Sequence, residues 1–247
     1  MRRLLCIALL VCAASAINTQ ERRVKIESVS GNSLHFKASG LKVGQSGVVL
    51  ATIHEKTIII ASAEISKVEG DSITARVLPF EMITQKYLPT PEASPKAGDT
   101  LIFNGFYNRA IAIAPSQESY NAILARGKNV SFSHIDLFAA FLAKDGINDP
   151  KPKHLKEFCN AYSIGLVYML ASNGINVLDC QSFEVLEVLP FDKPSLETTA
   201  APFFSRIVAI DTGSLASKLR SKDSKHYFSY YDSLLKEPLA RFRRDQN

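Results

Sequence analysis

A change of hydrophobic period at Pro115 divides this chain into a strand-forming half and a half in which helices and strands mix. From Arg22 to Pro115 short alternating or fully apolar runs are separated by turn signals, the mark of an all-β unit. Val24, Ile26 and Val29 form one inward face. Gly31-Asn32 turns the chain into Leu34–Ala38, and Gly44-Gln45-Ser46-Gly47 leads into Val48–Ile53. Thr57–Ile65 follows, and Glu69-Gly70-Asp71 turns into Ser72–Leu78, where Ile73, Ala75 and Val77 alternate with polar neighbours. A loop carrying Pro89, Pro91 and Pro95 precedes Leu101–Phe103 and Ala110–Ala114. Six or so short strands predict a small closed β-barrel of the SH3-like or OB-like kind, because closure removes the exposed edges.

After Pro115 the spacing becomes helical. Ser116 and Ser119 compete to cap a helix containing Tyr120, Ile123 and Leu124 that stops at Gly127. Ser133 caps a second helix with an apolar stripe of Ile135, Leu137, Phe138, Phe141 and Leu142 that stops at Gly146, and Lys153–Tyr162 forms a third. Gly165–Ala171, Ile175–Leu178 and Phe183–Leu189 predict a three-stranded antiparallel meander, with Asn173-Gly174 as its first hairpin turn. Further on, Arg206–Ile210 predicts a strand and Gly213–Arg220 a short helix. Lys225–Leu235 predicts a helix whose aromatic band, Tyr227, Phe228, Tyr230 and Tyr231, docks onto the body of the domain. The expected fold class is α+β: a β-barrel-like unit over 17–115, then a unit over 116–236 with helices packed on a mainly antiparallel sheet, and a basic tail over 237–247.

Residues 1–16 carry a different signal. Arg2 and Arg3 precede an apolar run from Leu4 to Ala14 that ends in Ala14-Ser15-Ala16, the pattern of a secretory signal peptide cleaved between Ala16 and Ile17. Cys12 follows Leu9-Leu10-Val11, and the bulky Val11 disfavours a lipoprotein site there. Removing Arg2 and Arg3 lowers Lys+Arg from 29 to 27 against 24 Asp+Glu, so the mature charge is +3. That is too small to argue for a nucleic-acid partner. No mature segment approaches the length of an apolar transmembrane helix. Cys159 and Cys180 are the two cysteines beyond the signal, and an exported chain permits either a disulfide between them or two buried free thiols.

Catalytic and cofactor signatures are weak. Gly44-x-Ser46-Gly47 does not satisfy G-x-S-x-G and lies between strands, where no nucleophile elbow forms. His134-x-Asp136 has no further histidine near it in sequence, so it reads as a solvated helix start rather than a metal site. Glu55, Glu64 and Glu69 read as strand-surface carboxylates that serve solubility. Asn129-Val130-Ser131 is an isolated sequon, and Gly-rich phosphate loops do not occur. The residues therefore predict no catalytic group, no cofactor and no metal, and a binding or scaffolding role.

Several separated motifs discriminate further. Leu88-Pro89-Thr90-Pro91, Gly98-Asp99, Phe106-Tyr107-Asn108, Ile113-Ala114-Pro115 and Tyr120 occur in order. Downstream stand Cys159-Asn160-Ala161-Tyr162-Ser163-Ile164-Gly165, Cys180-x-Ser182-Phe183-Glu184, Phe203-Phe204-Ser205-Arg206, Ile210-Asp211-x-Gly213 and Tyr227-Phe228-x-Tyr230-Tyr231-Asp232. Together they resemble the N-terminal domain of the bacterial plasminogen-binding surface proteins of the PgbA/PgbB family, over nearly the whole mature chain to about Lys236. The resemblance implies an exported, non-enzymatic protein of the cell envelope, periplasmic or at the cell surface, with host plasminogen as partner. In that family the element taken by kringle domains is a lysine that ends a long Lys/Glu-rich tail, supplying ammonium and carboxylate together. Here the sequence runs out at Arg243-Arg244-Asp245-Gln246-Asn247, so the expected contact falls on Arg243 or Arg244 beside Asp245. A layout of small barrel followed by helix-covered sheet is also similar to periplasmic scaffold modules such as those of TolB and flagellar assembly proteins, which would imply a structural envelope component without host ligand.

Overall fold

The computed structural model describes residues 17–83, 87, 92–127, 129–195, 199–207 and 223–236. Among them the chain forms a seven-stranded sheet, a five-stranded sheet and four α-helices. Residues 1–16, expected to form a signal peptide, the helix expected over Gly213–Arg220, most of the strand expected over Arg206–Ile210 and the basic tail lie outside the described residues.

The first sheet contains β1 (Arg22–Lys25), β2 (Ser28–Ser30), β3 (Ser33–Lys37), β4 (Ser46–Ile53), β5 (Lys56–Glu69), β6 (Ser72–Leu78) and β7 (Thr100–Phe103). Its order is β1-β7-β4-β5-β6-β3-β2, with every pairing antiparallel. The 14 residues of β5 serve two partners, β4 along its first part and β6 along its second. Register shifts at Val49/Leu50 and at Ile65/Lys67 insert bulges, which bend and twist a ladder. The sheet therefore curls around Leu34, Phe36, Val49, Ile65, Ile73, Leu101 and Phe103, all of them buried. The sheet forms a half-barrel: β1 and β2, at the two ends of the ladder, follow one another in the chain, and between them Ile26 N donates to the Asp99 carbonyl beside β7 while Glu27 N donates to the His35 carbonyl of β3. Val29 departs from expectation, because β2 is an exposed edge strand and does not present it to the core.

Strand β8 (Arg109–Ile113) corrects the sequence reading most. Expected as the last strand of the first unit, it lies instead inside the second sheet. With β9 (Ser131–Phe132), β10 (Leu166–Ala171), β11 (Gly174–Asp179) and β12 (Val185–Leu189) it gives the order β12-β11-β10-β8-β9. The meander β10-β11-β12 is antiparallel, whereas β8 pairs in parallel with both β10 and β9, so the sheet is mixed rather than mainly antiparallel. Residues Ala110 to Ile113 and all of β10 and β11 are buried, as expected of strands covered on both faces.

Helices α1 (Gln117–Arg126) and α2 (Ile135–Lys144) pack against β8, α3 (Pro152–Tyr162) against α2, and α4 (Tyr227–Leu234) against β10. Of the two serines competing for the cap, Ser116 caps α1 by accepting from the Ser119 amide. At α2 the cap is His134 rather than Ser133, its Nδ1 accepting from the Asp136 amide. The aromatic band of α4 docks as expected: Tyr227, Tyr231 and Leu234 are buried, and the Tyr227 hydroxyl donates to the carbonyls of Ile113 and Leu170, at 3.0 Å each. Burial pushes the Tyr227 and Tyr231 hydroxyls well above the ordinary tyrosine range.

Candidate functional site

The two sheets meet where the Gly44–Gly47 turn entering β4 faces the Asp179–Ser182 turn leaving β11. Gly44 has φ +86° and brings the backbone so close that a Cβ there would stand 2.4 Å from Glu184 Cβ. Its carbonyl accepts from Ser182 Oγ at 2.6 Å, and Lys42 Nζ donates to the Leu186 carbonyl at 2.9 Å. Gln45 Nε2 donates to Asn104 Oδ1 at 3.0 Å, while Asn104 Nδ2 donates to the carbonyls of Asn18 and Gln20. Ile17 packs at the edge of the second core.

Asp179 is the centre of this seam and is fully buried. Its Oδ2 accepts from Ser46 N at 2.9 Å, Ser46 Oγ at 2.6 Å and Tyr107 Oη at 2.7 Å. Oδ1 accepts from Gln181 N at 2.8 Å and Ser182 N at 2.9 Å. Five donors occupy the roughly four lone-pair sites of a carboxylate, so Asp179 serves as an anchor rather than as a proton acceptor for a substrate. Burial, then the negative charge of Asp179, raises the Tyr107 hydroxyl well above its ordinary range and keeps it a donor. Ser46, expected to lack a nucleophile's setting, spends its hydroxyl proton on this anchor.

Cys159 and Cys180 are joined by a disulfide with a Cα–Cα distance of 6.2 Å, which ties α3 to the turn carrying Gln181. Beside it a cleft of about 140 Å³ opens between the sheets, lined by Ser46, Ser62, Glu64, Glu81, Lys156 and Gln181. Glu64 differs from the solvated carboxylate its sequence position suggests. It is only 5% exposed and pairs with Arg76 of the neighbouring strand at 3.0 Å. Glu81 closes the outer side by pairing with Lys156 of α3 at 2.6 Å, and the next residue, Met82, is buried. The Ile83 amide then donates to the Asn160 carbonyl at 3.0 Å, so the 81–83 segment is strapped to α3.

His134 and Asp136 stand together at the start of α2, His134 Nδ1 accepting from the Asp136 amide. Asp136 accepts from Ser205 Oγ, Arg206 N and Arg206 Nε, pinning the 205–206 segment to the start of α2. Burial would raise its carboxyl, yet the Arg206 and Ser205 hydrogen bonds, with His134 nearby, hold it below its ordinary value. Among the described residues no group of three or more His, Cys, Asp and Glu side chains is placed to hold a metal. Among them, too, no helix is long and apolar enough to cross a membrane. Ala16, Arg243, Arg244 and Asp245 lie outside the described residues. Sequence reasoning missed Asp179, Tyr107 and the Glu64–Arg76 pair. The available signals were an acid beside a cysteine at the end of the apolar run Val177-Leu178, and a Glu placed within a β-branched and Ala-rich strand.

Comparison with known proteins adds the family. Plasminogen-binding protein PgbA of Helicobacter pylori strain J99 is 39% identical over 217 residues, which cover 87% of this chain and 48% of that protein. PgbA of H. pylori strain 26695 is 38% identical over 217 residues, covering 87% of this chain and 47% of that protein. The chain thus spans about half the length of the curated relatives it matches. The family described as "Plasminogen-binding protein pgbA N-terminal" matches residues 21–235, taking in both sheets, α1 to α4 and the seam, and the chain belongs to that family.

Proposed function

We propose that this protein is exported, with cleavage between Ala16 and Ile17, and acts without catalysis as a plasminogen-binding component of the bacterial envelope. The observation that carries this reading is the 39% identity to a plasminogen-binding protein across 87% of the chain. The disulfide between Cys159 and Cys180 supports the export half of it, because such bonds persist in oxidising compartments. Arg243 and Arg244 beside Asp245 remain the residues proposed to meet plasminogen, offering a cation and a carboxylate within one short stretch.

Fractionation and protease shaving of intact cells, followed by capture of plasminogen from solution by those cells, test both halves. The reading expects the protein in the envelope fraction, loss of the protein on shaving, and loss of plasminogen capture with it. A cytoplasmic location overturns export, and capture that is unchanged in a strain lacking the protein overturns the binding role.

A further inference from the structure

Helix α3 leaves one charged face to solvent. Leu155, Phe158 and Cys159 are buried in the second core, while Lys153 and Glu157 are exposed. Four positions apart, these two are neighbours on the helix surface, with about 5–6 Å between Cβ atoms. Yet neither makes an ion pair or a hydrogen bond among the described residues. A lysine that precedes a glutamate at this spacing is the weaker order for mutual pairing, so the two charges stay separately available. Lys25, Lys42, Lys67 and Lys156 differ, since Gly98 and Thr100, Leu186, Glu69 and Glu81 hold their ammonium groups. The support beneath the pair is fixed. Pro152 opens the helix, His154 Nδ1 accepts from the Lys151 amide at 3.0 Å, and the Cys159–Cys180 bond ties the helix to the turn after β11. Burial, then the positive charge of Lys153, lowers the His154 imidazole below its ordinary value, so at neutral pH it carries no charge that would compensate Glu157.

A free ammonium and a free carboxylate at that spacing match the two charges of a chain-terminal lysine. A pocket that takes such a lysine presents an acidic group to the ammonium and a basic group to the carboxylate. The aliphatic stem of Lys153 supplies the apolar stretch beside the cation. We infer that the Lys153–Glu157 face of α3 is a docking surface for a lysine-recognising kringle domain of plasminogen. The inference rests on the plasminogen-binding reading above, and adds a contact on the folded body to the one proposed at Arg243, Arg244 and Asp245. Because the helix is already ordered, docking restricts only side-chain rotamers. Two contacts engaged at once bind more tightly than either alone, so the loss of one is felt in the whole.

The test is an equilibrium titration of plasminogen against purified protein spanning residues 17–247, as wild type and as the single variants Lys153→Gln, Glu157→Gln and Lys37→Gln. The two α3 variants remove opposite charges, so a general attraction between the proteins would move them in opposite directions. The inference expects both to weaken binding at least about tenfold, the loss of one charge-assisted hydrogen bond. Lys37, an exposed lysine of β3, is the control: its variant changes the net charge as Lys153→Gln does and should leave affinity unchanged. Circular dichroism checks that each variant folds, and either α3 variant decides the matter should the other misfold. Unchanged or tighter binding by a folded α3 variant, or an equal loss in Lys37→Gln, overturns the inference, while wild-type binding keeps the proposed function standing. Absence of saturable binding by the wild-type chain overturns both.

Discussion

Tyr107 donates its hydroxyl to Asp179 across 2.7 Å inside the molecule, joining the loop between β7 and β8 to the end of β11. Ser46 of the first sheet shares the same carboxylate oxygen, so one side chain holds three segments in register. Asp179→Ala would leave five donors, those of Tyr107 and Ser182 buried and the rest half-buried, without their acceptor and should cost roughly 3–5 kcal/mol. Tyr107→Phe removes one donor and should cost about 1–2 kcal/mol. Chemical denaturation of the three proteins checks both the size and the order of these losses.

The disulfide closes a loop with a sequence separation of 21 between Cys159 and Cys180. Constraining an unfolded chain over such a loop stabilises the fold by about 3 kcal/mol. A Cys159→Ser, Cys180→Ser double variant should therefore show a lower denaturation midpoint, and the wild-type chain should fall to a similar value in strong reductant.

Gly165 is held against the backbone of the β7–β8 loop, where an added Cβ would lie 2.3 Å from the Phe106 carbonyl oxygen and 2.9 Å from Tyr107 N. Backbone atoms cannot swing aside as a side-chain end does. Gly165→Ala should destabilise by at least about 1–3 kcal/mol, the usual cost of overpacking. Gly70→Ala is the comparison, since its Cβ would meet no atom within 4 Å and only the strain of φ +61° opposes it. The melting temperature of the Gly165 variant should be the lower of the two.

Alkaline pH should unfold this protein cooperatively. Tyr107, Tyr227 and Tyr231 all have hydroxyls raised above the ordinary value of 10.0, chiefly by burial. A raised folded-state value means that the fold holds the proton more tightly than the unfolded chain does. The stability linked to these protons is fully present below pH 10 and is lost as the pH rises from there towards the folded-state values. Tyrosinate absorbance and far-ultraviolet circular dichroism, followed together above pH 10, should change in one transition for these buried rings.

The strands from β3 to β7 and all four helices follow from local pattern, because alternation, caps and turn residues act over a few positions. Ser116, Gly127 and Asn173-Gly174 mark element ends that the structure keeps. What failed was non-local. Ala110 to Ile113 has no alternation, and a continuous apolar run suits a strand covered on both faces; its neighbours in the chain suggested the first sheet, its burial placed it in the second. Besides the nearby amides of Gln181 and Ser182, Asp179 takes donors from residues 133 and 72 positions away, a separation that no sequence period encodes. Glu64 resembled a surface carboxylate until the register of β5 on β6 set Arg76 directly opposite.

The most direct measurement of the functional account is an equilibrium titration of plasminogen against purified protein spanning residues 17–247, with and without a soluble lysine analogue. The account predicts saturable binding that the analogue displaces, and a marked loss of that binding when Arg243, Arg244 and Asp245 are together replaced by alanine. Absence of saturable binding, or binding indifferent to the analogue, would contradict it.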